Sequence, residues 1–423
     1  MISIHQIVSL SYFCGFLSSQ AASEVVELND KFLDTYKEGR WLVMICAPWD
    51  TQCQQLEPIW ADISQDLEAV SMNVGRLDGT KFTSVSEYFG VQTYPTILFT
   101  KGDKTTIYTG DQTHEELVKF ALRVNGPLVQ EITKASNFDK IKNFLDLYFL
   151  YIGERSGDLW DVYERIAEDF QPFVFFYQAH PAMVESHAPK EKVPAILVYK
   201  ENEYYGFTGN NETDLEKLYS ALHTWVNEER FLTFPQVTRG NIQQLSRINK
   251  YLAMAVIDEN ASVAAAPALS RFRENFESII KEKRDKYHNH FQFCWIAKSE
   301  LLHSIVVLEV PMPSLIVVNT SSSLYHAPED DLETLTPQAI ETFLEHIMNN
   351  TAPKIGGEGL VTEIYRYYLI IKRSIINLWK ESPLLLFAHL ACPTLLFLYS
   401  CGISCCACPL HFDDDDEEED ESE

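Results

Sequence analysis

Apolar positions along the chain change period several times. Residues 41–47 form an almost unbroken apolar run, the pattern of a strand covered on both faces. From Cys53 the period lengthens. Leu56, Ile59, Trp60, Ile63, Leu67 and Val70 recur at helical spacing and predict a helix with one apolar stripe, kinked at Pro58. Val74 to Asp78 predicts the next strand and Tyr94 to Phe99 another. A turn at Lys101-Gly102-Asp103-Lys104 leads to a hairpin partner at Ile107 to Thr109, and Glu115 to Val124 reads as a closing helix. Strand, helix, strand, hairpin and helix is an α/β layer order.

The phrase Tyr94-Pro95-Thr96 followed by an apolar strand recurs at wide spacing. Val193-Pro194-Ala195 opens a second copy and Met312-Pro313-Ser314 a third. Apolar runs at Tyr148 to Gly153 and Tyr251 to Asp258 precede these two copies, so three related domains in series are expected. Gly126-Pro127 and Thr233-Phe234-Pro235 mark the boundaries. The predicted blocks are 24–126, 127–233 and 234–352, followed by a stem at 353–382.

Both ends are different in character. Residues 1–23 read as a secretory signal peptide, with an apolar centre from Ile7 to Leu17 and small residues after it. Residues 383–403 carry no Asp, Glu, Lys or Arg and predict one membrane-spanning helix. Residues 404–423 form a Cys-rich juxtamembrane segment and an acidic tail. Basic residues Lys372, Arg373 and Lys380 precede the span, which by charge favours a cytoplasmic N-terminal flank. The signal peptide argues the opposite and prevails, because large domains translocate largely regardless of charge. The chain is thus expected to be single-pass type I, with its tail in the cytoplasm. Sequons at Asn211, Asn260, Asn319 and Asn349 are candidate glycosylation sites, and Cys405, Cys406 and Cys408 are candidate palmitoylation sites.

The formal net charge of -27 over 423 residues argues against nucleic-acid binding. No metal-ligand set, phosphate loop or dinucleotide fingerprint appears, and Tyr287-His288-Asn289-His290 reads as a surface turn. Cys46, Cys53 and Cys294 are the body cysteines, which leaves at least one unpaired; Cys46 could in principle pair with Cys53, but on a strand it reads rather as buried core.

The order Ala47-Pro48-Trp49, Cys53, Leu56-Glu57-Pro58-Ile59-Trp60 and Tyr94-Pro95-Thr96 closely resembles the first domain of a protein disulfide isomerase. The whole layout resembles the thioredoxin-related transmembrane proteins with three thioredoxin-like domains. The resemblance implies an α/β chain of three thioredoxin-like domains followed by a single transmembrane helix, resident in the endoplasmic reticulum. It implies no cofactor, and as partners folding clients of the secretory pathway, membrane lipid and cytoplasmic partners of the acidic tail. Family members carry Cys-Gly-His-Cys at positions 50 to 53, where this chain has Asp50, Thr51, Gln52 and Cys53. Met44 takes the place of a buried acid. Arg123 matches an arginine that tunes the resolving thiol, and Pro95 the cis-proline, with Trp49, Tyr94 and Ala47 lining a client groove.

Disulfide exchange needs one thiol to attack and one to resolve. With Asp50 in place of the attacking thiol, the chain is expected to be inactive as an oxidase and to act by binding clients. The alternatives are residual isomerase activity through Cys53 and a scaffold working through the acidic tail. Asp50 is expected to cap the helix and to disfavour ionisation of Cys53.

Overall fold

A computed structural model describes residues 25–356 except 185–192, 210–211, 258–265, 298–299, 306–313, 323 and 329–335, together with Tyr367 and Ile371. The expected leader (1–23), membrane helix (383–403), cysteines Cys405, Cys406 and Cys408, acidic tail, Asn211 and Asn260 lie outside the described residues. Among the described residues no helix is long and apolar enough to cross a membrane.

Three five-stranded sheets follow one another along the chain. The first contains β1 (Val26–Leu28), β2 (Arg40–Cys46), β3 (Asn73–Asp78), β4 (Thr96–Lys101) and β5 (Lys104–Ile107), in the order β1-β3-β2-β4-β5. β1, β3 and β2 run parallel, and β4 and β5 return antiparallel. The long helices α1 (Thr51–Glu68) and α2 (His114–Asn125) belong to this sheet. The second sheet repeats the topology with β6 (Gln130–Ile132), β7 (Leu147–Ile152), β8 (Phe176–Ala179), β9 (Ala195–Lys200) and β10 (Glu203–Gly206), ordered β6-β8-β7-β9-β10. Its helices are α3 (Asp158–Phe170) and α4 (Leu215–Glu229). The third contains β11 (Tyr251–Ile257), β12 (Phe291–Ala297), β13 (Ser314–Asn319), β14 (Leu324–His326) and β15 (Ile355–Gly356), ordered β12-β11-β13-β14-β15. Its helices are α5 (Ala266–Glu282) and α6 (Pro337–Met348).

The third sheet lacks a full first strand. Gln236 forms a single parallel bridge to Trp295. The Trp295 N–H reaches the Pro235 carbonyl at 3.0 Å, and the Val237 N–H reaches the Trp295 carbonyl at 2.7 Å. Proline is tolerated there because an edge position uses only its carbonyl.

α1 runs through Pro58, as its apolar stripe predicts. One local expectation shifts. The hairpin partner β5 begins at Lys104 rather than Ile107, because Lys101 pairs with Lys104 across a two-residue turn. Gly102 stands there at φ +60°, a left-handed conformation that glycine adopts without steric cost.

Strand alternation sorts the first core onto two faces. Leu42, Met44 and Cys46 point toward the buried stripe of α1 (Cys53, Leu56, Trp60, Ile63, Leu67) and the apolar side of α2. Val43 and Ile45 point the other way, onto Phe32, Tyr36, Val85 and Phe89. The Trp60 indole N–H donates to the Gly75 carbonyl at 3.0 Å, so its one polar atom is satisfied in the core.

The three sheets also touch one another. Gln171, past the end of α3, donates through Nε2 to the carbonyls of Arg123 (2.8 Å) and Gly126 (3.2 Å). Thr238, in the segment before β11, donates through Oγ1 to Asp111 Oδ2 at 2.9 Å. Gly240 lies so close to Gly110 and Asp111 that a Cβ there would stand 2.6 Å from their backbone.

Candidate functional site at the mouth of the first domain

β2 ends at Cys46 and the chain turns at once. The Ala47 carbonyl accepts the Asp50 N–H at 3.1 Å, closing a four-residue turn with Pro48 in its second position. Trp49 sits at the third position and is 72% exposed. Asp50, in an extended conformation, is the N-cap of α1; its Oδ1 accepts the Cys53 N–H at 2.9 Å. This is the capping role expected of a carboxylate there, and it satisfies one of the helix's free donors.

Cys46 and Cys53 form a disulfide, with Cα atoms 5.8 Å apart, inside the range such a bond requires. This overturns two expectations. Cys46 is not merely core, and the mouth of the first domain does not lack a second sulfur. Inactivity as an oxidase, argued from Asp50 replacing the attacking thiol, therefore loses its ground: a two-sulfur pair is present, drawn from the strand end and the first helical turn. Cys53 is bonded rather than a thiol whose ionisation Asp50 disfavours. Both sulfur-bearing residues are buried, Cys46 at 5% and Cys53 at 3% exposure. Met44 lies fully buried on the same face. Cys294 is the remaining body cysteine; it is free, and burial pushes its thiol far above the ordinary range.

Tyr94 and Pro95, joined by a cis peptide bond, precede β4. The pairing of Ile45 with Thr96 brings the residues after β2 alongside those before β4. Tyr94 packs at this corner: a Cβ on Gly79 would stand 2.7 Å from both Ile45 Cγ2 and Tyr94 Cε1. Trp49 is thus exposed, Tyr94 half-buried, and Pro95 and Ala47 buried.

Arg123, on the last turn of α2, reaches toward the second domain. Its Nε donates to the Pro172 carbonyl at 3.2 Å, and its guanidinium lies 5.5 Å from the centre of the Phe175 ring. Burial pushes its pKa down to about 10, against the opposing pull of Glu116. Asn319 ends β13 with Oδ1 accepting the Ser321 N–H at 3.0 Å, and Asn349 is exposed at the C-cap of α6.

Sequence reasoning missed a second polar cluster. Residues 288–290 form a turn with Asn289 and His290 exposed, as expected, but the preceding Tyr287 is fully buried and His288 turns inward: its Nε2 lies 2.5 Å from Oε1 of Glu229, at the end of α4. Lys200 Nζ lies 2.7 Å from Glu229 Oε2, and Arg284 Nη2 lies 2.9 and 3.0 Å from the two oxygens.

Residues 24–123 match the thioredoxin family model, and residues 152–346 match the model of a thioredoxin-like domain. Over 88% of its length the chain is 31% identical to the protein disulfide-isomerase TMX3 of Xenopus laevis, covering 80% of that protein. It is 28% identical to the Homo sapiens protein of the same name over 85% of this chain and 77% of the relative. A crystal structure of human ERp44 in form II aligns with 80% of this chain and 92% of that one, at a TM-score of 0.35 and 14% identity.

Proposed function

The chain belongs to the protein disulfide isomerase family, and on that premise we propose that it binds folding client proteins from the membrane of the endoplasmic reticulum. In this reading the span at residues 383–403 anchors it, the three domains are lumenal and the acidic tail is cytoplasmic. Asn319 and Asn349 then face glycosylation.

Trp49 carries the reading. A large aromatic side chain held 72% exposed on a tight turn contributes little to the core. Covered by a partner, it supplies an apolar anchor whose two side-chain torsions cost little entropy to fix. Half-buried Tyr94, set in place by the buried Pro95, gives an extended client a second apolar contact.

The test is capture of an unfolded, fully alkylated protein by the full chain in detergent. Alkylation removes client thiols, so capture is non-covalent. Binding that falls in Trp49→Ala and persists in Cys53→Ser supports the reading; binding unchanged in Trp49→Ala refutes it.

The Cys46–Cys53 pair favours a second reading, thiol–disulfide exchange. A client thiolate attacks one sulfur of the pair, the bond between Cys46 and Cys53 breaks, and the sulfur released takes up a proton. A second client thiolate then displaces the mixed disulfide. The client loses two electrons and two protons, and the pair becomes two thiols. Burial of both sulfurs makes attack slow, because exchange rates follow access to the sulfur. Oxidation of a reduced dithiol peptide by the full chain, lost in Cys46→Ser and Cys53→Ser alike, identifies the pair. Loss in Cys53→Ser alone assigns the activity to Cys53.

A further inference from the structure

The joint between the second and third domains is built around one carboxylate. Glu229 ends α4, and Lys200, from the end of β9, is its partner within the same domain at 2.7 Å. Both side chains are almost fully buried. The third domain adds two bases to this pair. Arg284, from the short helix Arg284–Tyr287, donates to both Glu229 oxygens, and His288, the residue directly after that helix, donates through Nε2 to Oε1. The Arg284 guanidinium also covers the ring of Tyr205 in β10, 3.8 Å from its centre. The carboxylate therefore serves a lysine of its own domain and two guests.

The charge balance of this site is sensitive to protons. Glu229 and Lys200 neutralise each other, and Arg284 leaves one positive charge in excess while His288 is neutral. A proton on His288 adds a second positive charge in a half-buried place beside the fully buried Lys200. The groups facing it are Glu229, which favours the charged imidazole, and Arg284 and Lys250, which oppose it. Lys250, at the entry to β11, is itself held by Glu228 at 2.9 Å across the same joint. Tyr205 donates its hydroxyl to Glu203 and offers no negative charge to the site. Burial outweighs the attraction of Glu229 and holds His288 below its ordinary range. Further hydrogen bonds across the joint run from Gln292 Nε2 to the Leu232 carbonyl (3.1 Å), from Arg230 Nη1 to Gln244 Oε1 (2.8 Å) and from Asn227 Nδ2 to the Arg247 carbonyl (3.3 Å). None of these groups titrates near neutrality.

We propose that Glu229, Lys200, Arg284 and His288 form a proton-sensitive latch that holds the second and third domains together at neutral pH and loosens on acidification. The sign follows from linkage. A histidine that holds its proton less tightly in the docked state than in the open one favours docking when it is neutral, and that preference is lost as pH falls through the ordinary histidine value. Opening is asymmetric. Glu229 keeps Lys200 inside the second domain, while Arg284 and His288 regain water. The second domain therefore stays folded when the latch opens.

The test is hydrogen exchange of the full chain in detergent about one unit above and about one unit below the ordinary histidine pKa of about 6.5, corrected for the intrinsic rate at each pH. The expected result is a loss of protection on acidification at residues 229–233 and 284–292, with the strands β7 and β11 still protected. In His288→Gln, which keeps a donor and does not titrate, the pH dependence at these amides disappears. Equal protection of the unmodified protein at both pH values overturns the latch, as does a His288→Gln variant that loosens on acidification like the parent. His288→Asn serves as the second non-titrating variant, and the unmodified protein alone decides if neither folds.

Discussion

Breaking the Cys46–Cys53 bond tests its structural weight without moving an atom of the surrounding core. The two residues are separated by 7 positions. Closing so short a loop removes conformational entropy from the unfolded chain worth about 2.5 kcal/mol in the chain-entropy description. The reduced sulfurs stay buried between β2 and α1, so native packing changes little and most of the effect lies in the unfolded state. With a urea dependence of about 2 kcal/mol per molar, reduction should lower the unfolding midpoint of the first domain by about 1 M. Because a chain of several domains does not unfold in one step, the readout must be local. Exchange of the β2 and β3 amides at increasing urea, with and without reductant, provides it. Cys46 and Cys53 lie in one tryptic peptide between Arg40 and Arg76, and in unreduced protein that peptide should lack two hydrogens. A Cys46→Ala, Cys53→Ala double variant should be indifferent to reductant. A midpoint that reductant leaves unchanged in the unmodified protein would refute the reasoning, because no bond would then constrain the unfolded chain.

Other outcomes follow from single contacts. Asp50→Ala removes the cap on the Cys53 N–H and should cost about 1 kcal/mol, while Asp50→Asn should cost little; urea midpoints of the first domain separate them. Glu229→Gln leaves Lys200 and Arg284 without their carboxylate and should destabilise the protein by roughly 3–5 kcal/mol, measured as a fall in the midpoint of the second and third domains. Gly240→Ala drives a Cβ onto the backbone of Gly110 and Asp111 and should break the Thr238–Asp111 contact, seen as faster exchange at residues 109–111 with the sheets unaffected.

Much of the fold was legible because each strand phrase is apolar enough to be recognised alone. Residues 41–47, 94–99, 193–199 and 251–257 all fall on strands or their immediate approaches. The opening strand of the third sheet was not legible. It consists of one bridge at Gln236 beside Pro235, which reads as a boundary. The Cys46–Cys53 pair was legible as an option but was outweighed by the reading of Cys46 as core. Cys46 shares strand parity with Leu42 and Met44, and Cys53 shares the buried stripe of α1 with Leu56 and Trp60, so both sulfurs point into one interface. Weighing Cys46 as a lone apolar residue on a strand, rather than by this shared interface, set the pairing aside. The cluster around Glu229 offered no comparable signal. Its members stand at positions 200, 229, 284 and 288, and only the docking of two domains brings them together.

Capture of a fully alkylated, unfolded polypeptide by the full chain, compared between the unmodified protein and Trp49→Ala, bears most directly on client binding at the mouth of the first domain. An exposed aromatic anchor at the centre of a contact is worth about 2 kcal/mol, so the variant should bind about 30-fold more weakly with its unfolding midpoint unchanged. Equal capture by the two proteins would contradict the assignment of that surface to clients.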